Sequence, residues 1–425
     1  MLSRWPLIIM LTASVAVPAL ASSAASAAAE SQKAYTLSDI ITLALEHNPA
    51  IAGAQGVVQQ SRGQQVAAGA YLNPSISGST GPGAIRDPSS GVRITERTVT
   101  VQQPLEWQGK RRARQQAADA GLAGASAAME ETRLNVAADV KVAFYHLLFA
   151  QHDVDLATQN LTMVEEVLRT VKARVAAGEA TILESMKADV ERQKAKKEVA
   201  RTQNALVVMR AKLDMVSGGA LDKPFSIQGD FESLRLEPDR GALTMRAEER
   251  HPALRRLTKL VEQAEFRTVL EQESRIPNVT VHGNYHREAG DESIVAGLSV
   301  PIPLWYQRQG EIESARGAKY RAEAERLRAR NELAQTITEH VQEVRTANEQ
   351  LQVFETGLLK QAEQTLKVAR ISFQQGVASL LDLLDAQRVN RQTLIEYVQA
   401  RADLSIALAR LERAAGGADD WEGAR

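Results

Sequence analysis

The sequence predicts a mainly α-helical protein with a small β part, in which long coiled-coil hairpins join four β-strands and the whole plan is written twice. Three observations predict this. Four landmarks recur in one order about two hundred residues apart. Long helical stretches keep a seven-residue apolar repeat. Between the helices lie short stretches of alternating apolar and polar residues.

The landmarks come first. "EHNPAIAGAQ" (Glu46–Gln55) is answered by "ERHPALRRLT" (Glu249–Thr258), so that Pro49 matches Pro252. Pro74 in "YLNPSISGS" is answered by Pro277 in "RIPNVTVHG" at the same offset. "QQPLEWQGKRRAR" (Gln102–Arg114) is answered by "VPIPLWYQRQGEIESAR" (Val300–Arg316), and "ARVAAGEATILESMKADVERQ" (Ala173–Gln193) by "ARISFQQGVASLLDLLDAQRVNRQ" (Ala369–Gln392). One match between Ala-rich helices carries little weight; four in series read as an internal duplication.

Each half reads helix, strand pair, long helix, helix. In the first half a helix runs from Leu37 to about Ala70, started by Ser38 and Asp39 and interrupted by Pro49. Strands are expected over Tyr71–Thr80 and Val92–Gln103, with "TGPGAIRDPSSG" between them as turn-rich loop. From Gln108 to Ala177 there is no proline. The second half repeats this with strands near Asn278–His286 and Ser293–Val300 and a long helix from about Gln309 to Gln375.

Val140, Leu147, Val154, Leu161, Leu168 and Val175 are spaced by seven, as are Val136, Ala143, Ala150, Ala157, Val164 and Val171. This is a heptad seam with alternating large and small layers. Ile337, Val344, Leu351 and Leu358 continue the pattern in the second half, with Leu333, Ala347 and Phe354; Leu383, Tyr397, Leu404 and Leu411 carry it in the last helix. A sustained 3.5 period implies left-handed supercoiling, and about seventy residues at ~1.5 Å each make a rod of roughly 100 Å. Gly178 and Gly376 interrupt the rods and read as hairpin tips. The organisation is residues 1–29 as a processing segment, 30–216 as the first repeat, 217–240 as a linker, 241–416 as the second repeat and 417–425 as a tail.

The ends and the composition bound the function. Arg4, the apolar run Leu7–Val17 and the small residues Ala25–Ala29 form an export signal, with cleavage after Ala27 or Ala29. The chain carries 51 basic and 52 acidic residues, no footprint for nucleic acid, and no cysteine. Beyond the signal no run of eighteen apolar residues exists to make a spanning helix. An exported chain of this kind is either periplasmic or part of an outer-membrane β-barrel.

The strands favour the barrel. Val279, Val281 and Tyr285 alternate with Thr280, His282, Asn284 and His286. Ile294, Ala296, Leu298 and Val300 alternate with Val295, Gly297 and Ser299. The second strand is less regular, because Val92 and Ile94 share one face while Val99 and Val101 share the other; a bulge near Arg97 would reconcile them. Four strands cannot close, and an open sheet cannot sit in lipid, so several chains share one barrel; three chains give twelve strands. The repeated junction phrase then lies where each hairpin leaves the membrane. Pro104, Pro301 and Pro303 stop the ladder. Trp107, Trp305 and Tyr306 form an aromatic belt, with outer-membrane lipid as their partner, and Lys110, Arg111, Arg112 and Arg114 face anionic head groups or are ordinary solvated charges.

In these phrases and their spacing the mature chain resembles the TolC-type outer-membrane efflux channels, and "VQQPLEWQGKRRAR" with "VPIPLWYQRQGEI" looks like the heavy-metal (cobalt-zinc-cadmium) branch. "GVASLLDLLDAQR" is similar to that family's second hairpin tip. The resemblance implies a homotrimer with a shared twelve-strand barrel on a helical tunnel, docked to a periplasmic adaptor (membrane fusion) protein and an inner-membrane, proton-driven pump of the resistance-nodulation-division type. It makes Asp382 and Asp385 the acidic residues of the periplasmic aperture, with Glu184 in the corresponding place of the first repeat. The residues alone read as a cation-holding ring or as N-terminal helix charges in a favourable macrodipole. Gly178, Glu179, Gly376 and Val377 are the expected adaptor contacts. The best-known member of the family has an arginine two residues after the tip glycine, where it locks the closed mouth by an ion pair; here Ala378 stands in that place.

His282 and His286 fall on the expected lumen face, too far apart along one strand to share a metal ion, and read as polar lining with transient metal contact as the second reading. No stably bound metal and no cofactor are expected. No nucleophile, acid–base pair or phosphate loop points to an enzyme. The expected function is an outer-membrane exit duct for divalent heavy-metal cations, the alternatives being a duct for drugs, other organic solutes or secreted protein, and, in a different class, a soluble periplasmic coiled-coil adaptor or scaffold.

Overall fold

The computed structural model describes residues 33–91, 93–232 and 237–417. The expected signal at 1–29, Val92 and most of the tail lie outside the described residues. In chain order the elements are β1 (Lys33–Tyr35), α1 (Leu37–His47), α2 (Pro49–Gly69), β2 (Ser75–Arg86), β3 (Arg93–Leu105), α3 (Gln108–Ala176), α4 (Ile182–Val216) and β4 (Phe225–Ile227). There follow α5 (Arg240–Arg250), α6 (Pro252–Glu273), β5 (Val279–Glu288), β6 (Asp291–Ser299), α7 (Gln309–Val353), a π-helical turn (Phe354–Leu358), α8 (Leu359–Gln374) and α9 (Leu380–Ala415). The two halves repeat the same order of elements.

The repeat extends to the caps. Pro49 and Pro252 each open a helix at its first turn, where the missing N–H costs nothing. The residue before each proline is the N-cap: Asn48 accepts from Ala50 N and His251 from Ala253 N. Helix α1 begins at Leu37. Its N-cap is Thr36, and Asp39 closes a capping box rather than beginning the helix.

Four strands form one antiparallel sheet in the order β2-β3-β5-β6. Directly paired residues share a face. The pairs Thr98–His286, Thr100–Asn284, Asn284–Val295 and His282–Gly297, with Ser77 opposite Thr100, line one face, which is mostly polar. Val99–Tyr285, Val281–Leu298 and Tyr285–Ile294, with Ile76 opposite Val101, line the other. The apolar face is the exposed one: Ile76, Ile294 and Leu298 are 75%, 83% and 70% exposed. A sheet that turns its apolar side outward and its hydroxyls inward is built for lipid on one side and water on the other.

Three strand expectations change. β2 begins later and runs to Arg86, so most of the presumed loop is strand and the turn shrinks to Asp87–Gly91. No bulge occurs at Arg97, which pairs regularly with Thr80 and Arg287; the irregularity is on β2, between Pro82 and Arg86. Ile94 therefore stays on the polar face beside Glu96, where its side chain is half-buried. β6 ends at Ser299, so Val300 already belongs to the junction.

The helices also form a layer four elements wide. Near the sheet the neighbours run α2-α3-α6-α7. Farther away they run α4-α3-α9-α8, so that α3 serves both levels. The heptad seam of α3 is its buried edge: Val136, Val140, Ala143, Leu147, Ala150, Ala157, Val164, Leu168 and Val171 are all buried. In the second half the seam holds through Ile337, Val344, Ala347 and Leu351 and then breaks. The π-turn adds one residue, so the buried positions after Ala347 and Leu351 are Ala362 and the half-buried Leu366, each one residue out of phase, and the expected seam residue Leu358 is 41% exposed. The expected single helix over 309–375 is thus two, joined by this turn.

Between the two levels a small apolar core wraps the rod. β1 pairs in parallel with β4, and Tyr35, Ile40, Phe144, Tyr145, Phe225 and Phe231 pack together there. Tyr35 donates to Asp222 at 2.8 Å, and Tyr145 to Glu232 at 3.0 Å; burial pushes the Tyr145 phenol far above its ordinary value. The chain's N-terminal strand is thereby tied to the segment that links the halves.

Candidate functional site: membrane junctions and hairpin tips

The two copies of the junction phrase differ in backbone, with α3 capped by the extended Trp107 and α7 by Arg308 at φ +60°, but they share one contact that the sequence reading missed. In each, an aromatic side chain lies over the glycine of the Gln-Gly pair and reaches a glutamate. Trp107 Nε1 donates to Glu273 at 2.8 Å across Gly109, and Tyr306 donates to Glu311 at 2.6 Å while its oxygen accepts from Gly310 N at 3.1 Å. A Cβ on Gly109 would collide with Glu273 and Trp107, and one on Gly310 would stand 2.6 Å from the Tyr306 oxygen. The glycines are there for close approach, not for turn geometry. Trp305 is 93% exposed, and Ile302 and Leu304 beside it are exposed too.

The basic cluster does something other than expected. Lys110 is buried, donates to Asn278 Oδ1 at 2.7 Å, and is held below the ordinary lysine range by burial. Arg111 donates to the carbonyl of Gly69 at 2.7 Å and stacks on Tyr71 with 4.0 Å from guanidinium carbon to ring centre. Arg114 takes the carbonyls of Ala68 and Ala70 and grips Glu106 with both nitrogens, at 2.5 and 2.9 Å. The last carbonyls of α2 have no helical partner, and these guanidinium groups satisfy them. Lys110, Arg111 and Arg114 are therefore turned inward to fix the junction; of the four, Arg112 is the exposed one.

The tips are two copies of one turn. Gly178 and Gly376 sit at φ +79° and +73°, in the left-handed region that favours glycine. Gly178 N bonds Val175 O and Glu179 N bonds Arg174 O; Gly376 N bonds Phe373 O and Val377 N bonds Ser372 O. Both are Schellman turns. Val377 is 80% exposed, and Glu179 lies 4.0 Å from Arg174.

Each returning helix starts on a hydroxyl cap. Thr181 accepts from Glu184 N, and Ser379 from Asp382 N, so Glu184 and Asp382 occupy the same third position. The Asp382 carboxylate is already engaged: it accepts from Ser379 Oγ at 2.7 Å and Ser379 N at 2.9 Å, which holds it below the ordinary carboxylate value. Asp385, one turn on, takes a bond from Arg388 at 2.5 Å. Both carboxylates are exposed on the same side of α9, and the arginine beside the second is a counter-charge that spacing alone did not reveal.

Above the tips the helices leave two grooves. One, about 540 Å³, is lined by Asn160, Glu191, Lys194, Asp385 and Arg388; the other, about 400 Å³, by Glu166, Leu366, Arg370 and Phe373. Gln387 separates them: buried, it donates to Asn160 Oδ1 at 3.3 Å, and its Oε1 has no partner among the described residues.

His282 and His286 lie on the polar face of the sheet. His286 Nδ1 is 3.1 Å from Thr98 Oγ1, and the His282 ring fills the space over Gly297. Among the described residues no group of three metal-ligating side chains could hold an ion, and no helix is long and apolar enough to cross a membrane.

Comparison with known proteins agrees with this architecture. The sequence model of the family Outer membrane efflux protein matches residues 40–219 and 243–417. The cobalt-zinc-cadmium resistance protein CzcC of Cupriavidus metallidurans is 29% identical over 330 residues, covering 76% of this chain and 78% of that protein. The nickel-cobalt-cadmium resistance protein NccC of Alcaligenes xylosoxydans xylosoxydans is 26% identical over 58% of this chain and 56% of its own. Among solved structures, CusC superposes with a TM-score of 0.77 at 16% identity, over 90% of this chain and 92% of that one. VceC of Vibrio cholerae superposes with a TM-score of 0.75 at 19% identity, over 90% and 96%. An inside-out sheet carried on long helical hairpins, matched by the family along both halves, places the chain among the outer membrane efflux proteins, as a channel of the outer membrane and not an enzyme.

Proposed function

We propose that the chain is the exit duct of a tripartite pump that expels divalent heavy-metal cations. It works as a homotrimer with a periplasmic adaptor and a proton-driven inner-membrane pump, and reaches the outer membrane through a cleaved signal at 1–29. The observation that carries the duct is the sheet: apolar face outward, polar face inward, and both edges, β2 and β6, unpaired. Such edges are unsustainable in lipid. Three copies of a four-stranded sheet close into a ring of twelve, and the four-wide helical layers close with them. The repeat boundaries near 216 and 241 then mark two equivalent wedges of that ring.

The cargo reading rests on the relatives, whose names specify cobalt, zinc, cadmium and nickel resistance. A duct needs no resident metal; selectivity would come from rings of carboxylates, with Asp382, Asp385 and Glu184 at the periplasmic aperture. The exposed tips around Gly178–Glu179 and Gly376–Val377 are the adaptor contacts. Trp107, Trp305 and Tyr306 form the membrane-interface belt, with Arg112 as its outward charge, and His282 and His286 line the lumen.

The test is deletion of the gene and growth against graded cobalt, zinc, cadmium, nickel and copper, with a dye and a detergent alongside. Sensitivity to the cations alone is expected. Sensitivity to the organic agents alone would keep the duct and overturn the cargo.

A further inference from the structure

The chain contains one joint between its own halves. β3, the second strand of the first hairpin, pairs with β5, the first strand of the second. In a closed ring the joint between subunits is the repeat of this one: β6 against β2 of the partner subunit. We infer that it has the same register, so that Ser299 lies directly opposite Gly81 of the partner subunit and Leu298 opposite Pro82 of the partner subunit. This rests on the homotrimer proposed above.

The register follows from two alignments of the repeat. Pro74 on Pro277 lays β2 on β5, an offset of 277 − 74 = 203; Pro104-Leu105 on Pro303-Leu304 lays β3 on β6, an offset of 303 − 104 = 199. The ladders provide an independent check. Ser77 pairs with Thr100 in the first hairpin and Thr280 with Ser299 in the second. These are the same pair under the two offsets. The internal joint pairs Thr100 with Asn284 and Val99 with Tyr285. Carried across by the same offsets, these become Ser299 with Gly81 and Leu298 with Pro82.

Face parity supports the transfer. Ser299 and Gly81 both belong to the polar face, and Leu298 and Pro82, the next pair along, both to the apolar one. A slip of one residue would put each side chain on the wrong side of the wall. Slips of two keep parity and are excluded only by the repeat, so they are the controls.

The two joints differ in strength. Thr98 contacts His286 at 3.1 Å and Thr100 donates to Asn284 at 2.9 Å inside the chain. Of the corresponding positions between subunits, Ser299 with Gly81 offers no such pair, and the other falls beyond Pro82, where β2 is irregular. Backbone bonds and the outward apolar contacts hold this seam, and it parts before the internal joint does.

Cysteine cross-linking tests the register, and the chain has no cysteine to interfere. Directly opposite residues lie about 4.5–5.5 Å apart at Cα, within disulfide reach, and diagonal ones about 7–8 Å apart, beyond it. Gly81 has open space where a Cβ would stand, and Leu298 is 70% exposed. Oxidation of outer membranes carrying Ser299→Cys with Gly81→Cys, or Leu298→Cys with Pro82→Cys, should give covalent dimers and trimers on denaturing gels. Ser299→Cys with Ser79→Cys, and Pro301→Cys with Gly81→Cys, should give roughly tenfold less. Thr100→Cys with Asn284→Cys, which links within one chain, is the positive control. Stronger linking in a shifted pair overturns the register and leaves the trimer standing. No linking in any pair, with a trimer still seen by native mass measurement, overturns the joint. A monomer by native mass overturns the trimer as well.

Discussion

Asn48 and His251 stand at the same point of the two repeats and do the same work with different chemistry. Asn48 Oδ1 accepts from Ala50 N at 2.8 Å, and His251 Nδ1 accepts from Ala253 N at 3.2 Å. An imidazole nitrogen can accept only while unprotonated. His251 is buried, and burial lowers its pKa below the ordinary 6.5. The folded chain therefore binds its proton less readily than the unfolded one. The cap is fully present above pH 6.5 and is lost as pH falls through the lowered value. His251→Asn should remove this pH dependence and keep the cap. His251→Ala should cost about 0.5–2 kcal/mol at neutral pH. Thermal unfolding in detergent from pH 5 to 8 distinguishes the three forms.

At the junction, Arg114→Ala leaves α2 carbonyls and the Glu106 carboxylate without their donor and should destabilise by about 1–3 kcal/mol. Arg112→Ala should change stability by no more than about 0.5 kcal/mol. Equal effects in a melting experiment would contradict the inward use of the cluster.

The tip glycines have open or distant surroundings, so their substitution tests backbone conformation alone. Gly178→Ala and Gly376→Ala should each cost about 1–2 kcal/mol through the left-handed φ. Hydrogen exchange should locate the loss at the tip and in the first turn of the returning helix, with the core near Tyr35 unaffected.

Asp382 and Asp385 differ in their partners, and conductance should show it. Asp382→Asn with Asp385→Asn should lower the cation selectivity of single channels. Arg388→Gln, which frees Asp385, should raise it. The Asp382 cap survives neutral and mildly acidic pH. It weakens only as pH falls below the ordinary carboxylate value of 3.8 and through the lowered one, since the folded carboxylate is the weaker proton binder. Unchanged selectivity in both variants would remove the aperture role.

Deletion of Gly357 should convert the π-turn into continuous α-helix and put Ala347, Leu351, Ala362 and Leu366 on one unbroken seam. Gly357 makes no contact that a Cβ would disturb, so the deletion removes register and little packing. The expected result is a trimer of normal amount with higher thermal stability. Loss of the trimer would show that the extra residue is needed for the helices to meet.

The fold was legible in the sequence wherever a period or a repeat recorded it. The α3 seam, the tip glycines and the alternation of Val281, Tyr285, Ile294 and Leu298 all follow from spacing. What failed were features set by partners distant in sequence. Arg111 and Arg114 read as free charges because the carbonyls they satisfy belong to Ala68, Gly69 and Ala70, some forty residues earlier. Lys110 finds Asn278 in the other repeat. Gly109 carries no local trace of its constraint, the Trp107–Glu273 contact above it, which crosses between halves. Ile94 suggested a bulge because alternation was expected to be clean. The π-turn has a local trace, a seam that slips by one residue, but it appears only when the buried positions on both sides are known.

That turn makes the two long limbs of the protomer mechanically unequal. α3 runs from the junction to the tip as one unbroken helix, a strut with no joint along its length. The path through α7 and α8 covers the same distance with a single soft segment, where backbone bonding is wider and Gly357 sits in the turn. Bending stiffness along a rod is set by its weakest point. A load applied at the tips is carried by one limb and absorbed by the other, and twofold repetition in sequence becomes a pairing of frame and spring.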